Sequence, residues 1–152
     1  MLGCFRQNHN CIDNCIHTFA GIQLRAACLE IMEKQGHEEE TGSAKMTPAF
    51  NLPSKYVIHT VGPIVEGNLT EKHEKSLESC YTSCLELAEK NNLKSIAFCC
   101  ISTGIFMFPN HRAAEIAVDT VRRFKEHSEI EVIFNVFKDE DLQIYRELLG
   151  TD

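Results

Sequence analysis

Tryptophan is absent from the 152 residues, proline occurs only 4 times, and no run is long and apolar enough for a membrane span. No charged leader with an apolar stretch follows Met1, so no signal peptide is expected and no membrane partner is implied. Basic residues are scarce: 15 Lys and Arg stand against 22 Asp and Glu, a formal net charge of −7. That balance disfavours nonspecific binding to nucleic-acid backbone. It still allows a small anionic ligand, because backbone amides and helix N-termini hold phosphate without a basic surface. Despite 8 cysteines there is no CxxC, so neither a thioredoxin motif nor a four-cysteine ribbon is available. The cysteines are therefore expected in a reducing cytosol, as core thiols or metal ligands, and the location implied is cytoplasmic.

What is present is globular. Hydrophobic residues make up 43% and charged residues 24%, and the length suits one domain over 1–152. Residues 1–12 read as loop, with Asp13 as an N-cap. Ile16, Ala20, Leu24, Ala27 and Ile31 then recur at helical spacing until Gly36 and the acidic run Glu38 to Glu40. Residues 41–54 carry turn formers and no period. Tyr56 to Val61 reads as a strand closed by Gly62 and Pro63. Thr70 caps a helix through Lys90, with Leu77, Tyr81, Cys84 and Ala88 on one face. Ser95 to Ile101 reads as a strand buried on both faces of a parallel sheet. A helix from Asn110 to Glu126, a strand from Glu131 to Phe137 and a helix from Asp139 to about Gly150 complete the alternation of a three-layer α/β/α fold. Only three strands are visible, fewer than an average sheet contains. The remaining strands are expected upstream of Met1, and the chain is expected to be poorly stable or inactive without them.

Chemistry concentrates at the front. Cys4, His9 and Cys11 are soft ligands that suit zinc, and three protein ligands leave one position open, as in catalytic rather than structural sites. The alternative is a loop with two incidental thiols and an exposed histidine. Asp13 is either an ordinary cap or a carboxylate that orients or activates water. His17 reads as a packed or surface histidine rather than a catalyst, and His59, within a strand, as a satisfied core residue. Ser102-Thr103-Gly104-Ile105-Phe106 follows a strand and precedes a helix, where an open α/β sheet binds ligands and a small-residue turn presents N–H groups to phosphate. A tight connecting turn explains the same residues. Phe137 is either a base-stacking or a core aromatic. Cys99 and Cys100 read as buried thiols. Cys80 and Cys84, four apart on a helix, suit either a metal pair or the core, and the place of Cys84 on the apolar stripe favours the core.

Taken together, these residues resemble a known family. Gly3-Cys4-Phe5, His9, Cys11-Ile12-Asp13-Asn14, Ile16-His17, Ala20-Gly21 and Leu24-Arg25 are similar to the zinc-dependent macrodomains of microbial protein-ADP-ribose hydrolases. Thr41-Gly42, Ala44-Lys45, Thr47-Pro48, Asn51-Leu52-Pro53, Tyr56 to Pro63, Ile101 to Phe106, Phe108-Pro109 and Ala113-Ala114 continue the likeness over nearly the whole chain. The resemblance implies a macrodomain that binds ADP-ribose and removes mono-ADP-ribose from modified proteins. It implies Zn2+ held by Cys4, His9 and Cys11, with Asp13 catalytic and Asn14 near the distal ribose. Ser102, Thr103, Gly104, Ile105 and Phe106 would form the diphosphate loop. The partners implied are an ADP-ribosylated protein and ADP-ribose. Two other readings are a module that binds ADP-ribose without turnover, and a structural zinc site on an unrelated α/β domain. Met107 stands where many relatives carry Gly, which implies a differently shaped diphosphate loop; Ala49, where Gly is common, is a milder change. The resemblance also implies an upstream segment that completes the sheet and supplies an asparagine used in hydrolysis.

Overall fold

The computed structural model describes residues 2–4, 6 and 9–151; Phe5 of the front motif lies outside them. The elements are α1 (Ile12–Ala20), α2 (Ile22–Gln35), β1 (Ala44–Pro48), β2 (Tyr56–Thr60), α3 (Glu71–Lys90), β3 (Ser95–Phe98), α4 (Asn110–Lys125), β4 (Glu131–Phe134) and α5 (Asp139–Leu149). Two two-stranded sheets are present among the described residues. β1 and β2 pair antiparallel, with Ala44 opposite Thr60 and Pro48 opposite Tyr56, while β3 and β4 pair parallel, with Phe98 opposite Phe134.

The single first helix expected from the apolar spacing is two helices. Gly21 separates them at φ 90° and ψ 176°, a conformation essentially reserved for glycine. A β-carbon there would meet Asn51 Nδ2 at 2.8 Å, so the break also seats the following loop. The cap of α1 is Cys11 rather than Asp13, and Asp13 sits in the first turn. The break shifts the buried stripe, so that Ala20, Leu24 and Cys28 are fully buried and Ala27 is not.

β2 shows the layering. Val57 packs with Leu24 and Cys28 on the α1–α2 side, whereas its neighbour Ile58 packs into the larger core around Leu77, Tyr81 and Leu85 of α3. Alternation along a strand thus places helices on both faces, the α/β/α arrangement. On α3, Thr70 caps the helix by accepting from His73 N–H, and His73 Nδ1 accepts in return from Thr70 N–H at 3.2 Å. The hydroxyls of Ser79 and Ser83 donate to Gly42 O at 3.0 and 2.8 Å, pinning α3 to the entry of β1. α4 buries Ala113, Ala114, Ala117, Val118 and Val121, small residues that let it approach α3 closely.

β3 is shorter than expected and is not buried on both faces, since Ser95 and Ala97 are exposed. Lys138, rather than Asp139, occupies the cap of α5. Cys80 and Cys84 are core thiols, while Cys99 and Cys100 are half-buried. Phe137 is 98% exposed and belongs to no core. No described helix is long and apolar enough to cross a membrane.

Candidate active site

The front loop is organised by the start of α1. Cys11 takes the extended cap conformation, φ −117° and ψ 156°, and its Sγ accepts from Asn14 N–H at 3.3 Å. A thiol here does what a Ser or Asp side chain does at most helix starts. Its place on the cap carries it beside Cys4 and His9: Cys4 Sγ lies 3.3 Å from His9 Nδ1, and the ligand atoms of Cys4, His9 and Cys11 all fall within 4.8 Å of one another. Zinc–sulfur bonds of about 2.3 Å and zinc–nitrogen bonds of about 2.0–2.1 Å require ligand atoms roughly 3.3–3.8 Å apart, so the set fits with small side-chain movement. Burial, opposed by the Asn14 N–H, pushes the Cys11 thiol up, and a bound divalent ion would displace that proton.

Main-chain contacts fix this loop over α1 and α2. Cys4 N–H donates to Asp13 Oδ2, and Arg25 Nη1 donates to Cys4 O at 2.8 Å. Asn14 Nδ2 donates to Arg6 O at 3.0 Å and, more weakly, to Cys4 O at 3.4 Å. The Asn14 side chain therefore holds the loop backbone. Arg25, which residue typing alone did not single out, is a second strut.

Asp13 joins the loop to the interior. Its Oδ1 lies 3.6 Å from His17 Nε2, one helical turn along, and the His17 side chain is wholly buried while that of Asp13 is 39% exposed. The carboxylate so has one oxygen on the front-loop backbone and one facing an imidazole. Burial lowers the His17 pKa, and the Asp13 charge partly offsets this.

Behind His17 stands His59 on β2, its Nε2 2.9 Å from Thr47 Oγ1. Burial pulls its pKa down to about 4 from 6.5, so it is neutral in the fold. The unfolded chain then binds the extra proton between those values, and the stability His59 leaves intact at neutral pH is lost as pH falls from about 6.5 towards 4. In the presence of chelator, chemical-denaturation midpoints should fall over that window with a slope approaching about 1.4 kcal/mol per pH unit. A flat profile there would contradict burial of the neutral ring.

The loop after β3 is the second half of the site. Ser102 adopts φ 65° and Met107 φ 56°, both left-handed, which curls residues 102–107 into a compact turn. Met107 is 72% exposed, so a left-handed backbone position, rather than packing, explains why Gly would suit it. Phe108 N–H donates to Ser102 O and Met107 N–H to Gly104 O, both at 3.0 Å, and Phe106 O accepts from Val65 N–H at 2.9 Å. Among the described residues, the N–H groups of Gly104, Ile105 and Phe106 have no partner, and Gly104 and Ile105 are exposed. The loop is seated on Gly62, where a β-carbon would come within 2.1 Å of Ser102 Oγ and 2.9 Å of Ile101 Cγ2. Successive free N–H groups in such a curl make an anion-binding concavity.

Residues 4–117 match the family model described as Macro domain. The chain belongs to the macro domain family. A protein named protein-ADP-ribose hydrolase, from Treponema medium, is 59% identical over 152 residues, covering 99% of this chain. The chain spans 58% of that relative's length. The solved Oceanobacillus iheyensis macrodomain with ADP superposes with a TM-score of 0.87 at 38% identity, covering 98% of this chain and 77% of that one. The Trypanosoma brucei macrodomain in complex with ADP-ribose gives a TM-score of 0.83 at 34% identity, covering 98% and 59%. These likenesses establish the macrodomain fold on which the front loop and the 101–107 turn sit.

Proposed function

We propose that this macro domain is a zinc-dependent protein-ADP-ribose hydrolase, releasing mono-ADP-ribose from a modified protein. The observation that carries the reading is the joining of two parts: a Cys4–His9–Cys11 cluster with ligand-like spacing, and a carboxylate, Asp13, hydrogen-bonded to the backbone of one of those ligands. The name of the Treponema medium relative and the ADP-ribose held by the Trypanosoma brucei domain support the substrate class.

The free N–H groups of Gly104, Ile105 and Phe106, with Ser102 and Thr103 shaping the turn, hold the diphosphate. Phe137, exposed beyond β4, offers a face on which adenine stacks. The distal ribose then reaches the front loop, next to Asn14 and Asp13. Bound zinc would supply a Lewis acid at the open side of the three ligands, able to polarise a ribose hydroxyl or a water. Asp13 positions the attacking water and takes its proton as the protein side chain leaves the anomeric carbon. Cys4 N–H, donating to Oδ2, fixes the carboxylate, and the buried His17 ring closes its inner side, so the base is aimed before substrate arrives.

Calorimetric titration tests the binding half. ADP-ribose should bind at least about tenfold more tightly than ribose 5-phosphate, because only the former places a diphosphate on the loop, and one lost charge-assisted contact is worth about 1.5–3 kcal/mol. Equal affinities would refute the assignment of residues 102–106.

A further inference from the structure

Beneath the front loop lies a second group of ligand-bearing side chains, which the proposed reaction touches only through His17. His17 comes from α1, Cys28 from α2 and His59 from β2, and one ligand atom of each lies within 4.8 Å of the others. All three are buried, with 2%, 0% and 7% exposure. The tertiary packing, and no local turn, assembles them. Both ring nitrogens of His17 lack a hydrogen-bond partner although its side chain is wholly buried. Leaving a buried polar group unsatisfied is destabilising, and an apolar residue of similar size would avoid that cost. We infer that His17, Cys28 and His59 form a second, buried soft-metal site, distinct from the Cys4–His9–Cys11 cluster and suited to Zn2+ or a similar divalent ion.

The chemistry supports this on several independent grounds. Two imidazoles and a thiolate are a zinc donor set. Cys28 Sγ and His59 Nε2 are already 3.8 Å apart, close to the edge of a zinc tetrahedron. The Thr47 hydroxyl, 2.9 Å from His59 Nε2, is a further oxygen donor beside the cluster. Charge also balances: a Cys28 thiolate and the Asp13 carboxylate, 3.6 Å from His17 Nε2, together offset a divalent cation. A carboxylate behind a ligating histidine is the usual outer partner of such sites. Asp13 would then face both centres, with one oxygen on the Cys4 backbone and the other on His17. A metal here would tie α1, α2 and β2 together directly beneath the front loop.

Metal stoichiometry tests the inference without reference to turnover. Protein stripped with chelator, reloaded with Zn2+ and desalted should carry about two zinc ions per chain. The Cys4→Ser/Cys11→Ser double variant should keep about one, and its cobalt(II) form should show a thiolate-to-cobalt charge-transfer band. Adding Cys28→Ser should remove both the remaining ion and the band. Circular dichroism of each variant in chelator identifies any that fail to fold; if the triple variant does, Thr47→Val in the double variant replaces it and should weaken zinc retention at least about tenfold. Absence of zinc from the folded double variant, or retention unaffected by Cys28→Ser, overturns the second site. The front cluster and the hydrolase reading stand or fall on other measurements.

Discussion

Cys11→Ser is expected to lower hydrolysis of ADP-ribose from a modified protein by about 10^2–10^4-fold while changing ADP-ribose affinity only a few-fold. The size follows from the Lewis-acid contribution of a catalytic metal, several kcal/mol, at about 1.36 kcal/mol per tenfold in rate. The direction follows from the structure. Cys11 carries one of three ligand atoms gathered at the head of α1, and serine in its place keeps the helix cap, since a hydroxyl accepts from Asn14 N–H as well as a thiol does. The fold and the 101–107 turn are thus untouched, and the loss falls on the chemical step. Zinc content and turnover should decline together, and raising pH should strengthen zinc retention in the unmodified protein, because the raised Cys11 thiol must lose its proton to bind. A Cys11→Ser protein with full turnover would remove the front cluster from the reaction.

Gly62→Ala should produce the opposite pattern, weakening ADP-ribose binding by about tenfold to a hundredfold before any effect on metal content. The added β-carbon would sit 2.1 Å from Ser102 Oγ and 2.9 Å from Ile101 Cγ2. Rotation of the serine hydroxyl relieves only the first clash, so the branched Ile101 side chain must also shift, and the turn with it. Overpacking of this kind costs about 1–3 kcal/mol, and here the cost falls on the turn that presents the N–H groups of Gly104 to Phe106. The comparison of the two variants separates catalytic from binding machinery. Titration of each with ADP-ribose, alongside zinc analysis, reads both; unchanged affinity in Gly62→Ala would contradict the loop's role.

Much of this was legible in the chain. Cys4, His9, Cys11 and Asp13 stand within ten positions, so a short loop had to place them near one another, and the structure does. The α3 helix was legible to the residue at its start, because Thr70 caps an unbroken apolar stripe. What could not be read depended on distant contacts or on single-residue conformation. Gly21 fits a helical pattern and breaks it only through its backbone angle. Ala44–Pro48 has too few β-branched residues to signal a strand, and becomes one by pairing with Tyr56–Thr60. Cys28 and His59 meet across 31 positions of sequence, a proximity no local pattern encodes. Gly62 matters only because Ser102 folds over it.

The central claim, that the front loop and Asp13 perform hydrolysis rather than mere recognition, is tested most directly by incubating the zinc-loaded protein with a mono-ADP-ribosylated carrier and measuring free ADP-ribose. The account predicts release that stops on chelation, returns with zinc, and falls by at least about 10^2-fold in Asp13→Ala. Tight binding of the carrier with no ADP-ribose released, zinc being present, would contradict it and leave a module that only reads the modification.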